Sequence, residues 1–258
     1  MPVIGYKIGQ EERASWFSHK AEVATPYYYS VYLADHDITT ELTPTERSAA
    51  FRFTFPESDS SYIVIDAFDN GSYIKVIPEK NTVIGYTTKN SGGVTPDFKN
   101  YFVIEFDTPF ASSDVWSDSK VVTGKKELEA NHVGAIIGFK TRRGQTVQAK
   151  VSSSFISFDQ AWLNLKELGD GNFERIKKSG RDRWNDILSR IQVEGGSTDQ
   201  YRTFYSCFYR SVLFPRKFYE INAQGEPVHY SPYKGGVKKG FLYTDTGFGI
   251  LSEPCSHF

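Results

Sequence analysis

Over residues 3–157 apolar and polar positions recur with the period of β-strands. Residues 27–33 are rich in aromatic and β-branched side chains and stop at the polar turn Asp35-His36-Asp37. Residues 38–55 continue the pattern and end in a clean alternation. Phe51, Phe53 and Phe55 point to one face, and Arg52 and Thr54 to the other, until Pro56 stops the strand. Further strand-like runs lie at 62–65, 73–77, 82–86, 101–106, 133–139 and 146–152. Turn-forming clusters such as Asp69-Asn70-Gly71, Ser91-Gly92-Gly93 and Arg143-Gly144 separate them. Many short strands at this spacing predict a β-sandwich of mainly antiparallel sheets, because two packed sheets each hide one face.

From Phe158 the period becomes helical. Ala161, Trp162, Leu165 and Leu168 share a face, and Gly169-Asp170-Gly171 ends that helix. Trp184, Ile187, Leu188 and Ile191 form a second stripe. Arg181, Asp182, Arg183 and Asp186 cover its other sides, which reads as surface ion pairing. Ser197-Thr198-Asp199-Gln200 fits a capping box and opens a third helix. Tyr201, Phe204, Tyr205, Phe208, Tyr209 and Val212 give that helix a wide aromatic face, and Pro215 closes it. Asn222-Ala223-Gln224-Gly225 and Lys234-Gly235-Gly236 then read as turns. The residues after this helix are too few to cover its face, so the chain is expected to self-associate. The organisation expected is a sandwich over 1–157, a helical linker over 158–196, the first member of a helical array over 197–248, and an aperiodic tail over 249–258.

Composition narrows the function classes. Of 258 residues, 39% are hydrophobic and 24% charged, which is a globular balance. A net charge of −1 leaves no basic footprint for nucleic acid. Aromatics make up 16%, a share that suits both strand cores and sugar stacking. Trp116, near Asp114 and Asp118, reads as a loop anchor, with a sugar-stacking platform as the alternative. Asp35 and Asp37 around His36 read as a turn and not a metal site. Two cysteines, Cys207 and Cys255, set no disulfide framework. No run of about eighteen apolar residues is long enough to span a membrane, and the first residues lack the pattern of a signal peptide.

Several tracts carry a family likeness. Residues 17–31, from Phe17-Ser18-His19 to Tyr27-Tyr28-Tyr29, resemble the sandwich domain of glycoside hydrolase family 92. So does Glu41-Leu42-Thr43-Pro44-Thr45-Glu46-Arg47 ahead of Arg52-Phe53-Thr54-Phe55-Pro56. Phe204-Tyr205, Tyr209-Arg210-Ser211 and Pro215 resemble a tract of the family's catalytic domain, as do His229-Tyr230-Ser231-Pro232-Tyr233 and Leu242-Tyr243-Thr244-Asp245. The likeness runs from about Ala14 to Phe248, and the order of the tracts makes it specific.

The resemblance implies a β-sandwich followed by an α/α barrel of six helical hairpins, here only begun. It implies a calcium-dependent exo-α-mannosidase that inverts the anomeric centre, with mannose-containing glycans as partners and relatives that are usually exported. Inversion needs one carboxylic acid and one carboxylate with room for a water between them. The family places both deep in the barrel, so no residue of this chain is expected to be catalytic, none to bind calcium, and the chain alone is expected to be inactive. Tyr243 and Asp245 are expected near the mannose pocket. His19 and Glu22 either line the domain interface or make a structural polar contact. A non-catalytic carbohydrate-binding sandwich stands as the alternative function.

The chain departs from the family at two places. The family has a segment ahead of Met1, and it continues after Phe248 with Trp-Asp-Thr-Phe-Arg. Here Gly249-Ile250-Leu251-Ser252-Glu253-Pro254 stands instead. Loss of one T from a Trp codon would turn codons for Trp-Asp-Thr-Phe-Arg-Ala into those six residues, so the tail is expected to be frameshifted. Cys255 and His257 are accordingly not read as a catalytic pair.

Overall fold

The computed structural model of the chain describes residues 1–244. Its first part contains fourteen strands: β1 (Pro2–Ile4), β2 (Val23–Thr25), β3 (Tyr28–Leu33), β4 (Ile38–Pro44), β5 (Ser48–Phe55), β6 (Ser58–Asp66), β7 (Ser72–Ile77), β8 (Thr82–Thr87), β9 (Asn100–Phe106), β10 (Ser112–Ser117), β11 (Lys120–Val122), β12 (Glu127–Ala130), β13 (Val133–Thr141) and β14 (Gln145–Ser154). A short helix, α1 (Gln10–Arg13), follows β1. Two antiparallel sheets result, ordered β1-β6-β13-β10-β11 and β12-β7-β8-β9-β14-β5-β4-β3-β2.

The alternation read from residues 51–55 holds. Phe53 and Phe55 join Ile38, Ile104, Phe106 and Val147 of the larger sheet against Ile63, Ile65, Ala135, Ile137 and Phe139 of the smaller one. Each of the larger side chains among these contributes about 1.5–3 kcal/mol on burial.

Both sheets also bury parts of their outer faces. Helix α2 (Phe158–Leu165) begins at the N-cap Ser157, whose side chain accepts the Gln160 N–H. Helix α3 (Phe173–Leu188) begins in the same way at Asn172. Ala161, Leu165, Leu168, Phe173 and Ile176 pack on Ala50 and Val103, which point outward from β5 and β9. On the other side, Val3 and Ile8 cover Val64, Trp116 and Ile136.

Trp116 therefore corrects the sequence reading: it is neither a loop anchor nor a platform. It sits in β10 at 1% exposure. Gly134 lies opposite it on β13, and a Cβ there would stand 2.1 Å from the indole. His36 lies in the expected turn but is itself buried. Its Nδ1 accepts the Ile4 N–H and its Nε2 faces the Arg13 carbonyl, both at 3.3 Å, so it ties the N-terminal segment to the sandwich.

The helical stripe after Trp184 is shorter than its periodicity predicts. Helix α3 ends at Leu188 and only Phe173 and Ile176 in it are buried. Ile191 lies beyond the helix and is exposed. Helix α4 (Thr198–Ser211) has the predicted capping box at Ser197 and no buried residue. It touches α3 through Trp184 and Tyr209, 5.0 Å between rings. Asp182 and Asp186 form exposed ion pairs with Lys178 and Arg190. The chain then returns to the sandwich as β15 (Arg216–Lys217), β16 (Glu220–Ile221), β17 (Pro227–Tyr230), β18 (Val237–Lys239) and β19 (Tyr243–Thr244).

Candidate functional site

The returning strands dock on the ends of β5, β9 and β14, and the joint is built in two layers. The apolar layer is aromatic. Phe218 stacks on Phe155 at 4.7 Å between centroids, and Phe98 completes the stack at 5.2 Å from Phe155. Tyr230 closes it edge-on at 5.7 Å from Phe98 and shares a hydrogen bond with the Thr95 hydroxyl. Offset and edge-on rings of this kind add about 0.5–1.5 kcal/mol per pair beyond the area they bury.

The polar layer lies beside it. Arg47, in the turn between β4 and β5, donates from its guanidinium to the carbonyls of Lys217 and Tyr219. Its neighbour Glu46 accepts from Lys217 Nζ at 2.7 Å and Arg183 at 3.3 Å. Glu167 accepts from the Arg47 N–H and the Thr45 hydroxyl. Deeper in, Glu220 accepts the Phe155 N–H at 2.9 Å and the Asn164 amide at 2.6 Å. A cleft of about 300 Å³ opens here, lined by Glu46, Arg47, Asn164, Glu167, Tyr219 and Asn222 among others.

Between β15 and β16, Phe218 enters the aromatic stack and Tyr219 is half-buried at the cleft, while Glu220 opens β16 inside the joint. The Tyr219 ring meets Phe241 at 4.8 Å and Tyr243 at 5.6 Å. β15 and β19 pair Lys217 with Tyr243, which sets this trio's geometry. Phe241 and Tyr243 are 62% and 47% exposed, so the trio presents rings to the outside. Burial, then a hydrogen bond with Tyr243, pushes the Tyr219 phenol up.

The residues expected at the site fall in different places. Tyr243 belongs to the trio, and Asp245 lies outside the described residues. His19 and Glu22 precede β2, the edge strand of the larger sheet. There Glu22 accepts from Tyr29 at 2.5 Å and meets His19 Nδ1 at 2.7 Å. The Tyr29 hydroxyl, and after it His19, hold the Glu22 carboxyl below its usual range. No hydrogen bond or ring contact links this pair to Tyr243 among the described residues. Sequence reasoning missed Glu220, Asn164 and the stacked phenylalanines. Fifty-six residues separate Glu220 from Asn164, and no local pattern announces such a pair.

Comparison with known proteins is consistent along the chain. The model of the glycosyl hydrolase family 92 N-terminal domain matches residues 1–154, and that of the family 92 catalytic domain matches residues 160–249. A family GH92 inverting mannosidase from Bacteroides thetaiotaomicron superposes with a TM-score of 0.92 at 42% identity, over 96% of this chain and 34% of its own. A family GH92 α-mannosidase from the same organism, also solved with mannoimidazole, gives 0.84 at 28% identity, over 94% of this chain and about a third of its own. An uncharacterised secreted glycosidase of Arthroderma benhamiae is 27% identical over 242 residues, 82% of this chain and 31% of the relative. The chain thus spans about a third of the length of the relatives it matches. Both sandwich and returning strands fall within these matches, and the chain belongs to glycosyl hydrolase family 92.

Proposed function

We propose that this chain supplies the sandwich and the opening of the helical domain of an exo-acting, inverting α-mannosidase that trims mannose-containing glycans. The observation that carries the reading is the succession of both family 92 domains along one chain, with an inverting mannosidase superposing on 96% of it. In this reading the trio of Tyr219, Phe241 and Tyr243 forms a wall near the mannose pocket, and Asp245, outside the described residues, is a further candidate for binding the sugar. His19 and Glu22 belong to the surface that meets the helical domain. The catalytic acid and base come from residues beyond those described, and the 258 residues alone do not hydrolyse.

Calcium is the metal we propose for the complete enzyme. Among the described residues no three His, Cys, Asp or Glu side chains converge to hold an ion. We further propose that the enzyme is exported, as the fungal relative is, and that the chain on its own self-associates through α4.

The test is mannose release from an α-1,2-linked mannobiose. The longer protein carrying this sequence is expected to release mannose of inverted configuration, with activity lost on chelation, and the 258-residue chain to release none. Turnover of a different glycoside class by the longer protein, with mannosides untouched, would overturn the reading.

A further inference from the structure

Glu220 is a carboxylate at 3% exposure, and both partners seen for it are amides. One oxygen accepts the Phe155 N–H and the other the Asn164 side chain. Asn164 also donates to the Ser153 carbonyl and accepts from Gln160. Gln160 in turn donates to the Ile221 carbonyl beside Glu220. The network closes on three elements: the end of β14, helix α2 and strand β16. Burying a polar group among hydrogen-bond donors brings little net stability. A fully satisfied polar network instead specifies one arrangement, because any displacement strands a buried donor or acceptor.

Tyr219 immediately precedes the strand held in this way. Arg47 fixes the carbonyls of residues 217 and 219 on either side of Phe218. Glu220 from inside and Arg47 from the flank therefore set both the depth and the register of the strand against the sandwich. The aromatic stack alone would set neither, since flat rings slide over one another at little cost.

We infer that Glu220 is a positioning residue, whose buried carboxylate locks β16 to helix α2 and the end of β14 and thereby places Tyr219 and its ring partner Tyr243 relative to the sandwich. This deepens the reading above, in which that trio faces mannose. The anchor of this wall of the site lies in the sandwich and linker, not in the helical array.

The experiment labels the full 258-residue chain with 3-fluorotyrosine and assigns Tyr219 and Tyr243 by Phe substitution at each. Amide hydrogen exchange is followed in parallel. Glu220→Gln leaves one donor unmet, and Glu220→Ala leaves both. Each is expected to shift the two fluorine resonances and to speed exchange over residues 216–230 by about tenfold, with β5 and β13 unchanged. Unmoved resonances in Glu220→Ala would overturn the inference. Faster exchange throughout β5 and β13 would also overturn it, by making Glu220 a general stabiliser. None of these readouts involves sugar, so they stand or fall apart from the mannosidase reading.

Discussion

At the scale of single residues, one ion cluster docks helix α3 on the larger sheet. Arg52 makes two bonds of 2.6 Å to Glu41 and one of 2.8 Å to Glu174, and lies over the Phe173 ring at 4.3 Å. Burial pushes the Glu41 carboxyl up, but the Arg52 and Tyr28 hydrogen bonds outweigh it and the net direction is down. A depressed carboxyl contributes stability that is present above its unfolded pKa, about 4.3, and is lost as pH falls through the folded value. Glu41→Gln is expected to cost about 2 kcal/mol at neutral pH. The gap should narrow as pH falls below the unfolded value and close once pH has passed through the lower folded one, where the unsubstituted carboxyl is itself protonated. Urea unfolding of both chains at neutral pH and below the folded value checks this, and an equal gap at both would refute it. Gly134 offers a second test. An added Cβ meets the Trp116 ring at 2.1 Å and the Ile65 carbonyl at 2.3 Å, neither of which can retreat within a packed sheet. Gly134→Ala is expected to lose about 2–3 kcal/mol and to change the near-ultraviolet signal of the buried indole. Intact stability together with an unchanged signal would mean that β10 yields at that point.

At the scale of elements, the helices divide by what they cover. α2 and the first turns of α3 bury five apolar side chains, counting Leu168 between them, on the sheet, whereas α4 buries none. Its order depends on local terms, chief among them the Ser197 cap and the returning Gln200 bond. Ser197→Ala is expected to cost about 1 kcal/mol within α4. That is roughly fivefold faster amide exchange over Thr198–Ser211, with the melting of the sandwich unmoved. A lower midpoint for the sandwich would show that α4 supports it after all. The same division explains what could be read from sequence. Strand β5 and the α4 cap were legible because a two-residue alternation and a four-residue box are complete within themselves. β10 was not: its outward Trp116 is covered by Val3 and Ile8, more than a hundred positions upstream. Ile191 was placed on a helix by periodicity, but α3 runs off the sheet before reaching it and nothing there rewards another turn. At the site, Tyr243 was singled out through family likeness, while its support by Arg47 and Glu220 depends on pairings across more than fifty residues.

At the scale of the whole molecule, the described residues form one well-covered body and one uncovered projection. The sandwich is clad on one outer face by α2 and the start of α3 and on the other by the N-terminal segment, and the returning strands are bolted to its end. The projection is the far half of α3 with α4, carrying Phe204, Tyr205, Phe208 and Tyr209 only partly covered and followed by exposed Val212, Leu213 and Phe214. A contiguous apolar face of this kind is a driver of association. Because α4 gives the sandwich no buried side chain, association can be separated from folding. The 258-residue chain is expected to show concentration-dependent species above monomer mass by light scattering. Phe204→Glu with Phe208→Glu should return it to a monomer with the thermal midpoint of the sandwich unchanged. A monodisperse monomer without substitution would mean that α4 turns its aromatic face back onto its own chain in solution. Tyr209 would then exchange its contact with Trp184 for one on the sheet.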